Sequence, residues 1–139
     1  MSLRILLLLA FILLTVSTAS ADINRFAGKW KNIDPHTGGI TNIQIDVSGA
    51  QIRIETWGKC GPGECAWGPT EGTAYAPSVG SNLVETAETI SAIYSPGWCI
   101  EILVIHPAED GQISVEALTR FTDHSGRANM RRVYTLARA

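Results

Sequence analysis

The chain reads as an all-β protein, an up-and-down antiparallel barrel of about eight strands. Three observations lead there. Short runs of alternating apolar and polar residues follow one another along the chain, and none sustains a 3.6-residue period. The connections between runs are mostly of hairpin length and rich in Gly, Pro, Asp and Ser, which leaves no room for crossover helices. A meander of this kind avoids exposed edges by closing on itself. The alternative, a β-sandwich, needs longer Greek-key returns.

Residues 1–21 have the pattern of a secretory leader. Arg4 supplies a positive start, an apolar run follows over residues 5–14, and Ala19-Ser20-Ala21 matches the small-x-small cleavage rule. The run is shorter than the roughly 20 apolar residues that a spanning helix needs. A single domain over residues 22–139 is therefore expected, secreted or periplasmic. Without Arg4 that part holds ten Lys+Arg against thirteen Asp+Glu, a net charge of −3. So mild a charge gives no electrostatic reason for a nucleic-acid partner, nor for a membrane once the leader is removed. No Asn-x-Ser/Thr acceptor occurs.

The expected strands run in order. Residues 28–33 form the first, ended by the turn cluster Asp34-Pro35-His36-Thr37-Gly38-Gly39. Residues 40–47 place Ile43, Ile45 and Val47 on one face, and Ser48-Gly49-Ala50 turns the chain into residues 51–57. A shorter strand spans 70–76, followed by a loop over 77–82. Residues 84–94 are ambiguous, because Glu85, Ala87 and Glu88 could begin a helical turn. Residues 98–105 are the most hydrophobic strand, 113–122 alternate cleanly, and 129–138 close the series.

Between the third and fourth strands lies Trp57-Gly58-Lys59-Cys60-Gly61-Pro62-Gly63-Glu64-Cys65-Ala66-Trp67-Gly68-Pro69, nearly mirror-symmetric. It reads as a long hairpin loop stapled by a Cys60–Cys65 disulfide, since the Gly-Pro-Gly-Glu spacer permits a tight turn and an exported chain meets an oxidising compartment. Reduced thiols are the alternative. Zinc is disfavoured by the four-residue spacing and the lack of a second pair. Cys99 is left over, a buried small hydrophobe or a competitor for the same bridge.

Gly28-Lys29-Trp30-Lys31-Asn32 resembles the opening strand of the calycins, the avidin-like proteins and lipocalins. The resemblance implies that Trp30 closes one barrel end and packs against an Arg of the last strand, for which Arg132 is the match, on the face with Met130, Tyr134 and Leu136. It also implies a ligand contact at Asn32, where avidin-like proteins hold the biotin head group; that family's following Ser and later Tyr/Thr and Trp contacts have no counterpart here. Trp30-x-Asn32 with Thr37-Gly38-Gly39-Ile40, the Trp-Gly-x-Cys loop and Phe121-Thr-Asp-x-Ser-Gly-Arg127 together look like a family of bacterial secreted proteins. That likeness spans most of residues 22–139 and brings no activity with it.

Catalytic chemistry is not indicated. Asp123-His124-Ser125 are the residue types of a hydrolase triad, yet consecutive turn residues point their side chains apart, whereas Asp, Ser and Gly are what a hairpin turn wants. Glu55, Glu101 and Glu116 are assigned to polar strand faces, with nothing to pair them as a glycosidase dyad. No cofactor is expected. In a meander alternate loops emerge at one end, so His36, the stapled loop, Trp67, Trp98, Cys99, His124 and Arg127 should share a mouth. Asp34 and His36 should approach Asp123 and His124, which could bind a metal; turn-forming Asp and exposed His are the reading adopted.

The expected function is binding of a small-molecule ligand at that mouth, through Trp30, Asn32, His36, Trp57, Trp67, Trp98 and Arg132, because an eight-stranded barrel is just wide enough to hold one. The alternative is a protein-binding module or secreted inhibitor that presents the Trp loop to a protein partner. Whether Trp67 enters the mouth or faces solvent separates the two.

Overall fold

The computed structural model describes residues 22–139; the proposed leader lies outside them. Eight antiparallel strands close into a barrel in sequence order: β1 Gly28–Asn32, β2 Ile40–Ser48, β3 Gln51–Cys60, β4 Gly63–Tyr75, β5 Thr89–Tyr94, β6 Cys99–Pro107, β7 Ile113–Phe121 and β8 Met130–Arg138. The expected up-and-down barrel is what forms. Period-2 alternation builds the core: Ile43 and Ile45 of β2, Ile52 and Ile54 of β3, Leu103 and Ile105 of β6, and Val115 of β7 all point inward and are buried. Each β-branched side chain suits a pleated surface that is apolar on one face only.

The 57–69 stretch is not a loop. Strands β3 and β4 stay paired to its tip, Trp57 opposite Ala66 and Cys60 opposite Gly63, with Gly61-Pro62 as the turn between them. Gly61 has φ 56°, which with Pro62 following fits a type II′ hairpin turn. Cys60 and Cys65 are bridged across this ribbon, Cα atoms 5.8 Å apart, and Cys99 is free and buried.

The barrel is open at one end and plugged at the other. A 3-10 turn over Ile23–Phe26 leads into β1, capped by Asp22, whose carboxylate accepts from Asn24 N–H at 2.7 Å. Ile23 and Phe26 are fully buried and meet a short helix α1, Leu83–Thr86, in the β4–β5 connection. Asn82 caps α1, accepting from the N–H groups of Val84 and Glu85. Arg25 joins the two segments by donating to Ala87 O at 2.9 Å. The end bearing the connections after β2, β4 and β6 is therefore the structural base.

Trp30 sits above this plug. Its indole N–H donates to Phe26 O at 2.9 Å, and the guanidinium that covers its ring is that of Arg138, 4.3 Å away. The partner expected from the resemblance, Arg132, is a correction: Trp30 pairs with Arg138 across the β1–β8 seam, while Arg132 lies beside Ala117 on β7. The expected face is right and the expected height is not, because strand stagger in a barrel sets which residues meet. Arg138 also donates to Ala27 O and Arg25 O at 2.6 and 2.8 Å, tying the last strand to the N-terminal plug.

Candidate functional site: the open mouth

The connections at the open end follow β1, β3, β5 and β7, and among them lies a cavity of about 660 Å³. Its floor is Tyr94 on β5, which reaches across to β3 and donates to Thr56 Oγ1 at 3.1 Å. Burial is the main cause that pushes the Tyr94 phenol above its usual range. One wall is Trp67, set edge-on against Tyr94 with ring centroids 5.4 Å apart. The opposite wall is Trp98 stacked on Phe121 at 6.1 Å, and Tyr134 and Met130 of β8 complete the apolar lining.

Trp67 enters the mouth because of a β-bulge. The β3–β4 register shifts between the Glu55–Pro69 and Trp57–Ala66 pairs, so Trp67 and Gly68 together oppose Thr56. Gly68 has φ 90°, a conformation that a side chain would strain. The extra residue inverts the alternation, and Trp67 turns inward. Its indole lies on Gly58, where a Cβ would come within 2.8 Å of Nε1. Trp57, its sequence mirror, also lies beside bulges, but their extra residues fall on β2 at Thr41 and on β4, so β3 itself keeps its alternation. It falls on the outward parity of β3, between inward Thr56 and Gly58, and does not line the cavity.

The Phe121-Thr-Asp-x-Ser-Gly-Arg127 motif forms a clasp. Asp123 accepts the Ser125 N–H, Arg127 donates to Asp123 at 2.7 Å and to Ser125 Oγ at 3.0 Å, and its guanidinium lies 4.1 Å from the Phe121 ring centroid. Hydrogen bonds from Ser125 and Arg127 hold the Asp123 carboxyl below its usual range. Asp123 and Ser125 are thus bound to Arg127 and not to His124, which occupies the left-handed region at φ 57°. That arrangement fixes a turn and an aromatic wall. It is not a triad.

Sequence alternation puts Glu101 on a polar outer face, and the structure corrects this. It shares the inward parity of Cys99, Leu103 and Ile105, lines the cavity, and accepts a hydrogen bond from the Thr119 hydroxyl. Desolvation pushes its carboxyl up, partly offset by Thr119. Glu55 and Glu116 do face outward, each paired with an arginine, Arg53 and Arg131. A carboxyl raised in the folded state favours folding while protonated, and that contribution fades as pH rises through the folded value. Glu101→Gln, which keeps an acceptor for Thr119, is therefore expected to raise the thermal midpoint at pH 7. The gain should vanish below about pH 4, where the unfolded carboxyl is itself protonated. Melting curves of both proteins across pH check this.

Of the residues that the sequence nominates, Trp67, Trp98 and Arg132 line the cavity. Trp30 is buried near the base. Asn32 is buried as well, its amide donating to Ile40 O at 2.8 Å and its oxygen accepting from Asp34 N–H, so it fastens the β1–β2 turn. His36 is exposed on that turn, its N–H held by Asp34, outside the cavity lining. Among the described residues no group of three or more His, Cys, Asp or Glu side chains could hold a metal. Tyr94, Glu101, Thr119, Phe121 and Tyr134 belong to the mouth without standing out as site residues in the sequence.

Fold and site together define a closed eight-stranded antiparallel barrel, plugged at its base and carrying an aromatic cavity at its open end. Compared with known protein families, curated proteins and solved structures, the chain matches none of them.

Proposed function

We propose that this protein binds a small organic ligand in the open mouth and acts as an exported binding protein without catalysis of its own. The observation that carries the reading is the bulge at Gly68, which turns Trp67 toward the cavity, edge-on to Tyr94. A bulge at a positive-φ glycine that aims one large aromatic at a concave, mostly apolar space is the construction expected of a ligand site. The Cys60–Cys65 bridge and the leader pattern support a secreted or periplasmic location. The clasped Asp123 and Ser125 support binding over hydrolysis.

Two measurements test the reading. Native mass spectrometry of the protein purified from its own compartment should show a retained small mass; a co-purifying protein and no small mass would favour the protein-binding alternative. Trp67→Ala should weaken binding of that small molecule about tenfold or more, the scale of losing one buried aromatic anchor. The thermal midpoint should move only a few degrees, since Trp67 is 37% exposed and lies at the rim. Unchanged affinity would sink the assignment of the site.

A further inference from the structure

The charges of the mouth point to the class of ligand, an inference that rests on the binding role proposed above. Glu101, Arg127 and Arg132 are the charged residues that line the cavity wall, and Lys59 borders it from the outward parity of β3. Arg127 is committed to Asp123 and to the Phe121 ring. Glu101 holds the Thr119 hydroxyl, and burial raises its carboxyl. Arg132 differs. It projects from the inward-facing row Met130, Arg132, Tyr134 and Leu136, over an apolar wall, and among the described residues its guanidinium makes no ion pair. Lys59, at the rim, makes none either.

Arg132 also stands where the wall is incomplete. Strand β1 ends at Asn32, and its pairing with β8 covers only Leu136 to Arg138, extended by the Ile33 N–H donating to Thr135 O. Above that point β8 has β7 on one side and the β1–β2 turn, with Gly38 and Gly39, on the other. Tyr134 packs on Gly39 across that gap, and Arg132 stands above it with a fork of donors suited to a planar anion. The aromatic walls beside it suit a flat apolar body.

We infer that the mouth takes an organic anion, a flat apolar body bearing a carboxylate or sulfonate, with the anionic group held by Arg132 and the body between Trp67 and the Trp98–Phe121 pair. Arg132 is then a specificity-determining residue, and the inward alternation that the sequence shows for it serves the ligand and not Trp30.

Three fluorescent or quenching probes of similar ring size decide the matter: 1-anilinonaphthalene-8-sulfonate, its neutral analogue N-phenyl-1-naphthylamine, and a naphthylmethyl-trimethylammonium cation. Each is titrated against the wild type, Arg132→Gln and Trp67→Ala, with thermal midpoints recorded as a control for folding. The sulfonate should bind the wild type about tenfold or more tighter than the neutral probe, the scale of a charge-assisted hydrogen bond. Arg132→Gln should remove that difference while leaving the neutral probe unchanged, and Arg132→Lys should restore part of it. Equal affinity for sulfonate and neutral probes, or a silent Arg132→Gln, overturns the anion inference while the binding role stands. Preference for the cation overturns it in favour of Glu101 as the selecting group. If no probe binds, or if Trp67→Ala leaves every affinity unchanged, the small-ligand reading itself falls.

Discussion

Replacing Trp30 with alanine is expected to lower the unfolding free energy by about 3–5 kcal/mol, the cost of truncating a large aromatic in a rigid core. The indole is 1% exposed, is enclosed by the isoleucine core of β2 and the Phe26 plug, and donates its N–H to Phe26 O. Truncation leaves a cavity at the junction of barrel and base, where rigid neighbours cannot collapse to fill it, and strands the Phe26 carbonyl. Urea denaturation followed by far-UV circular dichroism measures the loss. The accompanying arginine variants make the test sharper. Arg138→Ala removes two bonds to backbone carbonyls and the cation above Trp30, and should cost about 1–2 kcal/mol given its exposure. Arg132→Ala should cost almost nothing. If the two arginine variants are equally destabilising, the β1–β8 register that sets Arg138 over Trp30 is wrong.

That contrast also marks how far the sequence can be read. The inward face of β8 is legible in the alternation of Met130, Arg132, Tyr134 and Leu136, and so is the barrel, from the succession of short alternating runs. Which arginine reaches Trp30 depends on the stagger between first and last strands, a property of closure that no local pattern encodes. Arg132 and Arg138 are both on the correct face, six positions apart. Glu101 is misplaced by pattern for a different reason. Its outward neighbours Ile100, Ile102 and Val104 are as apolar as its inward ones, so the strand gives no contrast by which to tell the faces apart. The plug is hidden because α1 and the N-terminal turn are four residues each, too short for a helical period, although Asn82 followed three positions later by Glu85 is a capping signature.

The two tryptophans that flank the cysteines show the same limit of pattern reading at the site. In the sequence Trp57 and Trp67 are mirror images, each followed by glycine. In the structure Gly58 is a flat bed for an indole and Gly68 is the bulge that turns that indole inward. Hydrophobicity cannot distinguish the two glycines; the Pro69 that follows Gly68 is the one local hint of interrupted pairing. Topology alone therefore puts the mouth at the correct end, while residue pattern finds only part of its lining.

The second large effect is expected at the disulfide. A Cys60→Ser/Cys65→Ser double variant should lose about 2 kcal/mol, the loop-closure contribution of so short a bridge, read as a lower urea midpoint with an unchanged slope. The loss should be matched by reduction of the native protein, because Cys99 is buried with its thiol raised by desolvation and is poorly placed to exchange. The effect on the mouth is expected to be larger in proportion. Beyond the bulge, β3 and β4 are held by four residue pairs and the bridge, and Glu64 fastens the ribbon to Thr41 and Asn42 of β2. Without the bridge the tip pairs fray first, and Trp67, two residues from Cys65, loses the backbone that sets its angle against Tyr94. Trp67 fluorescence should therefore shift toward that of a solvated indole under conditions where circular dichroism still reports a full barrel. Coincident loss of both signals would mean that the ribbon and barrel unfold as one unit, and that the bridge shapes the mouth no more than it shapes the rest of the fold.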